Sequence, residues 1–85
     1  MISKQRIKQH EPLRASVSAA LRDIQTQLEG KFPPNLYRLV LSEMERPLFE
    51  AVLAHTKGNQ SKASEILGIT RSTLKKKLDY YSIEP

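Results

Sequence analysis

Apolar residues recur along this chain at helical spacing, and nowhere do they alternate with polar ones over a useful length. From Pro12 onward, Leu13, Val17, Ala20, Leu21, Ile24 and Leu28 follow one another mostly at steps of three and four. At the helical period they fall on one stripe, which predicts an amphipathic helix with one buried face. Pro12 suits the first helical position, where its missing N–H costs nothing. Gly30 can end the helix in a left-handed conformation, and Pro33-Pro34 cannot continue it.

A second helix is predicted over residues 36–56, with Asn35 as its N-cap. Its apolar residues (Leu36, Tyr37, Leu39, Val40, Leu41, Met44, Leu48, Phe49, Val52 and Leu53) cover most of the helical circumference instead of forming a stripe. A helix apolar nearly all round must be buried on several sides. The first helix and a C-terminal unit can each take a flank, and the remaining surface is expected to meet the same helix of a second copy. Leu36, Val40, Met44 and Leu48 are the candidate dimer core. Pro47 removes one backbone hydrogen bond, so a bend is expected near residues 43–46.

Lys57-Gly58-Asn59 then closes the second helix, with Gly58 after its end and Asn59 capping a short third helix over residues 60–67. Ala63, Ile66 and Leu67 are expected to face inward. Gly68 breaks the chain, and Thr70 caps a fourth helix from Arg71 to about Tyr80, in which Leu74, Leu78 and Tyr81 share one face. The fold class is all-α, divided into an arm at residues 1–11, a two-helix dimerisation core at 12–56 and a helix-turn-helix unit at 57–85.

Size sharpens the expectation of a dimer. A chain of 85 residues is one domain at most and buries a thin core alone. It has no Cys, so disulfides cannot support that core, and two isolated His do not make a zinc site. No metal or other cofactor is expected. Nor is a membrane: no apolar run reaches the roughly 18 residues of a span, and the N-terminus lacks a signal peptide's apolar segment. No catalytic constellation stands out, and the chain is not expected to be an enzyme.

The formal charge is +5, and its placement matters more than its size. Lys4, Arg6, Lys8 and Arg14 oppose only Glu11 near the N-terminus. Lys57, Lys62, Arg71, Lys75, Lys76 and Lys77 oppose only Glu65 in the helix-turn-helix. The intervening segment is close to neutral. Two basic blocks flanking a neutral middle point to a polyanionic partner.

Each residue type in the C-terminal unit has a physical reason to be there. Ala63 is small enough for one helix to cross closely over the other, and Gly68 permits the positive φ of the turn. Ile69, Leu74 and Leu78 lock the fourth helix to its scaffold and leave the opposite face free to enter a major groove. Thr70 and the first-turn N–H groups can meet a phosphate oxygen at the positive end of the helix dipole. Arg71 carries the planar fork that reads guanine O6 and N7. Lys75, Lys76 and Lys77 can reach phosphates on both groove walls.

Gly58-Asn59-Gln60-Ser61-Lys62-Ala63, followed by Leu67-Gly68-Ile69-Thr70-Arg71-Ser72-Thr73-Leu74-Lys75-Lys76-Lys77-Leu78, closely resembles the helix-turn-helix of the Fis family. The same module closes many bacterial enhancer-binding regulators. Pro12-Leu13-Arg14, Leu36-Tyr37-Arg38-Leu39-Val40-Leu41 and Glu45-Arg46-Pro47-Leu48 extend the resemblance over about residues 12–84. It implies a bacterial, cytoplasmic, nucleoid-associated protein: an intertwined homodimer of four-helix subunits that binds and bends double-stranded DNA and regulates transcription. RNA polymerase and a recombinase are the further partners it implies. Carried over by position, the DNA contacts are Asn59, Ser61, Thr70, Arg71, Thr73, Lys75, Lys76 and Lys77, with Arg71 and Lys76 foremost at the bases.

The sequence also departs from that family. Thr70 stands where Asn is familiar, and Asp79 and Tyr80 stand where Lys is familiar. Only eleven residues precede Pro12, fewer than the family's N-terminal β-hairpin arm needs, so DNA binding is expected without recombinase stimulation. The chain begins with Met1 and carries no receiver or ATPase segment, and a free-standing protein is expected. Two other readings remain open at this level: the DNA-binding end of an enhancer-binding regulator, and a dimeric adaptor docking its basic face on an acidic protein.

Overall fold

The computed structural model describes residues 10–84, so the first nine residues of the expected arm lie outside it. The described residues form four helices and no strand: α1 (His10–Gln27), α2 (Leu36–His55), α3 (Gln60–Leu67) and α4 (Arg71–Tyr81). The class is all-α, with a helix-turn-helix made by α3 and α4. Helix α1 starts at His10, two residues before Pro12. Pro12 still falls in the first turn, where backbone N–H groups have no helical acceptor, so the earlier start costs no hydrogen bond.

The chain divides into two compact units, Met1–Leu36 and Tyr37–Pro85. Within the second unit the C-terminal half of α2 packs on the helix-turn-helix: Phe49 and Leu53 are buried in one cluster with Ala63, Leu74, Leu78 and Tyr81. Val52, Leu67, Ile69 and Ile83 pack around that cluster. Helix α2 also runs on through Pro47 without interruption.

All four helices end in the same way. The N–H of a residue two or three past the end reaches back five residues, as in Gly30 to Gln25, Gly58 to Leu53, Ile69 to Ser64 and Ile83 to Leu78. The residue just before that donor takes a left-handed backbone: Glu29, Lys57, Gly68 and Ser82 respectively. This closure satisfies carbonyls that the helix itself cannot pair. The sequence reading put glycine in the first two of these places, yet Glu29 and Lys57 occupy them, each followed by a glycine that is also left-handed. Gly68 is different, because it is itself the left-handed residue, at φ 76°, in the turn between α3 and α4.

Asn35 does not act as the expected N-cap of α2. Its φ is 61°, whereas a cap keeps an extended backbone. Asn tolerates the left-handed region better than most residues, and here it turns the chain after Pro33-Pro34.

In the core, Ala63 and Leu74 are completely buried, so α3 meets α4 at its smallest residue. Ile66, expected to face inward, is 55% exposed. An eight-residue helix buries one narrow stripe, here Ala63, Ser64 and Leu67, and Ile66 lies about 100° from its centre. Buried Ser64 satisfies its hydroxyl by donating to the Ser61 carbonyl at 2.8 Å.

Leu74→Ala should therefore lower unfolding stability by about 2–5 kcal/mol, whereas Ile66→Ala should change it by no more than about 0.5 kcal/mol. Chemical denaturation of both variants beside the parent checks the contrast, and equal effects would contradict this packing.

Candidate nucleic-acid interface

Both helices of the helix-turn-helix begin with a side-chain cap. Asn59, with an extended backbone, accepts the Lys62 N–H on its side-chain oxygen at 3.1 Å, which leaves its amide N–H₂ available to an outside acceptor. Thr70, also extended, accepts the Thr73 N–H at 3.1 Å and donates to the Thr73 hydroxyl at 2.9 Å. Its hydroxyl also lies 3.2 Å from that of Ser72. Because Thr70 is occupied in holding the turn, the hydroxyl it leaves free to donate outward is that of Thr73. The first-turn N–H groups of Arg71 and Ser72 remain unpaired by the helix, at the positive end of its dipole.

With Leu74, Leu78 and Tyr81 buried, the roll of α4 about its own axis is settled. Arg71, Ser72, Thr73, Lys75 and Lys76 are all exposed, as are Asn59 and Ser61 on the α3 side. Among the described residues, Arg71, Lys75 and Lys76 have no carboxylate partner within ion-pair distance. Their charges face solvent on a helix that is anchored along its other side. That arrangement suits a polyanion: cations that are not already neutralised, presented on a rigid rod narrow enough for a major groove.

Lys77 is placed differently from its two neighbours. Its ammonium lies 3.3 Å from the Glu45 carboxylate on α2, and its side chain is only 36% exposed. Glu45 is more enclosed still, at 12%, and it also accepts the Tyr81 hydroxyl at 2.6 Å. The adjacent Arg46 donates to the Tyr81 carbonyl at 2.8 Å, with its guanidinium 5.6 Å from the centre of the Tyr81 ring. Phe49 and Tyr80 complete the surroundings of that ring, at centroid distances of 6.3 and 4.9 Å. The hydrogen bond to Glu45, then burial and the nearby carboxylate charge, push the Tyr81 phenol up to about 12.

Sequence reasoning placed Tyr81 in the core but missed Glu45 and Arg46 as the groups that hold it. A signal was available: Glu45, Phe49 and Leu53 follow at steps of four, which puts Glu45 on the face of α2 that is buried. Of the candidate dimer residues, Leu36 and Val40 are half-buried, while Met44 and Leu48 are 44% and 41% exposed. Among the described residues no three His, Cys, Asp or Glu side chains converge to hold a metal, and no helix is long and apolar enough to cross a membrane.

Comparison with known proteins agrees with this geometry. Residues 40–81 match the family described as bacterial regulatory protein, Fis family. The "DNA-binding protein Fis" of Mannheimia haemolytica is 46% identical over 83 residues, covering 98% of this chain and 85% of that protein. The protein of the same name from Haemophilus ducreyi is equally similar. A third, from Aliivibrio fischeri, is 48% identical over 73 residues, covering 86% of this chain and 74% of its own length.

The Tyr81 contact has a pH signature. The unfolded phenol loses its proton near 10 and the folded one near 12, so the stability from this contact is fully present below 10 and lost as pH rises through 12. In denaturation series across that window, the stability gap between the parent and Tyr81→Phe should close. A gap that stays constant would contradict the hydrogen bond.

Proposed function

The chain belongs to the Fis family of bacterial regulatory proteins, and from that premise we propose that it acts as a homodimer that binds and bends double-stranded DNA. The observation that carries this reading is the outward face of α4. Arg71, Lys75 and Lys76 stand exposed, without a carboxylate partner among the described residues, on a helix packed along its other side. The relatives of similar length bear the name of a DNA-binding protein.

Recognition then separates into two kinds of contact. Lys75, Asn59, Ser61, Thr73 and the free N–H groups at the Thr70 cap hold phosphates and set the register, which carries no sequence information by itself. Arg71, at the entering end of α4, and Lys76, near the middle of the outward face, reach base edges, Arg71 through its guanidinium fork. Few base contacts mean that selectivity rests mainly on how readily a sequence bends and narrows its minor groove. The family resemblance implies two recognition helices closer together than one helical turn, roughly 34 Å, and such a pair engages together only on bent DNA.

The pairing of subunits follows from the middle of α2. Met44 and Leu48 are exposed in the single chain, and Leu36 and Val40 are only half-covered. A second copy of α2 would remove that apolar surface from water, which is favourable in proportion to area. A protein that bends DNA in this way organises the nucleoid and regulates transcription, with RNA polymerase as the neighbour through which regulation acts.

Arg71→Ala should weaken binding at a preferred site by roughly five- to 150-fold, the equivalent of about 1–3 kcal/mol. Lys75→Ala should weaken all sequences alike and reduce the slope of log affinity against log salt by about 0.9 for each phosphate it no longer neutralises. Gel shifts on a preferred and a mixed-sequence duplex at two salt concentrations separate the effects. Arg71→Ala binding within twofold of the parent would remove the base-reading role.

For the dimer, Val40→Glu or Met44→Glu should yield unfolded protein, because the subunits share their core. Sedimentation with circular dichroism checks this, and a well-folded monomer would contradict it.

A further inference from the structure

We infer that Glu45 is a positioning residue for the proposed DNA contact: its carboxylate clasps α4 through Tyr81 and holds the Lys77 ammonium away from the phosphates. The inference rests on the DNA-binding reading and refines which cations of α4 take part.

Three bonds tie two consecutive residues of α2 to the C-terminal half of α4. Glu45 receives the Lys77 ammonium at 3.3 Å and the Tyr81 hydroxyl at 2.6 Å. Arg46 donates to the Tyr81 carbonyl at 2.8 Å. An ion pair between solvated side chains would be worth little and would yield readily to a phosphate. This one is not of that kind, because the Glu45 side chain is only 12% exposed. A carboxylate so enclosed depends on its partners, and withdrawing the cation leaves a poorly hydrated charge with a phenol alone. Lys77 is therefore held toward the scaffold, whereas Lys75 and Lys76 have no such partner among the described residues.

Helical geometry allows the division. Lys77 lies roughly 70° from the centre of the stripe made by Leu74, Leu78 and Tyr81, near enough to bend toward α2. Lys76 projects almost opposite that stripe. Three consecutive lysines in sequence thus become two outward cations and one internal strut. The clasp also resists rotation of α4, so the directions of Arg71 and Lys76 depend on Glu45 although it touches no DNA itself.

The test measures how affinity for a mixed-sequence duplex depends on salt, with four variants compared with the parent. Lys75→Gln should reduce the slope by about 0.9 for each phosphate left without its cation, and Lys77→Gln should leave it unchanged. Glu45→Gln should free Lys77, steepen the slope by a similar amount and raise affinity for mixed sequence, lowering the preference for a good site. The double variant Glu45→Gln with Lys77→Gln should return the slope to that of the parent. A Lys77→Gln slope that falls as far as that of Lys75→Gln overturns the inference, and so does a Glu45→Gln slope equal to the parent's. If Glu45→Gln does not fold, Lys77→Gln decides alone.

A parent protein that binds the duplex without salt dependence, or not at all, would sink the functional reading instead. The clasp can still be judged separately by tyrosinate absorbance. Glu45→Gln should bring the Tyr81 ionisation down from about 12, and an unmoved ionisation would remove the clasp as well.

Discussion

Burial of a single stripe on α4 governs what this protein can present to a partner. Leu74 fits with complete burial beside Ala63, and Leu78 and Tyr81 close against Phe49 and Leu53 of α2. A helix held along one side can no longer roll, so its remaining side chains have fixed directions. Lys75 and Lys76 face away from the stripe for that reason, and Arg71, nearer to it around the axis, is exposed because it begins the helix. Had the stripe been wider, fewer cations would have been left free; had it been weaker, their directions would not be defined. The small volume of Ala63 is the condition for this seating, because any longer side chain there would separate α3 from α4.

Short helices need help at their ends, and this chain supplies it consistently. An isolated helix the length of α3 is not stable in water, since the cost of nucleation exceeds what so few hydrogen bonds return. Asn59 and Thr70 satisfy donors at the two N-termini, and a left-handed residue closes every C-terminus. Capping at Thr70 has a second consequence. The same geometry that stabilises the turn orients the free N–H groups of Arg71 and Ser72 at the point where a phosphate would arrive. On the proposed DNA-binding reading, stability and phosphate contact would be built from the same first turn.

Polar contacts finish what a thin apolar core begins. Six buried apolar residues make the central cluster, little for a chain that must fix the direction of a helix. Glu45 and Arg46 add directional bonds at the far end of α4, where Tyr81 is gripped at its hydroxyl and at its carbonyl. Such bonds contribute less to stability than their number suggests, since both partners give up water. Their particular value is geometric, because a hydrogen bond specifies an angle and apolar contact does not. Met44 and Leu48, apolar and exposed on the same helix, have only area to offer a partner and no hydrogen-bonding group of their side chains.

The existence, order and type of the four helices could be read from the residues, as could the turn at Gly68 and the buried trio of α4. These are local matters: apolar period, capping residues and helix breakers act within a few positions. The basic character of α4 was equally legible, because charge is a property of composition. What the chain could not reveal alone was which lysine faces inward, that Ile66 faces out, or that Glu45 and Arg46 are the groups that hold Tyr81. Each depends on residues far apart in sequence, such as Glu45 with Lys77 and Phe49 with Tyr81. Pattern establishes that a face exists; only packing decides what lies against it, because that is settled by volume and by the pairing of enclosed charge, which no spacing records.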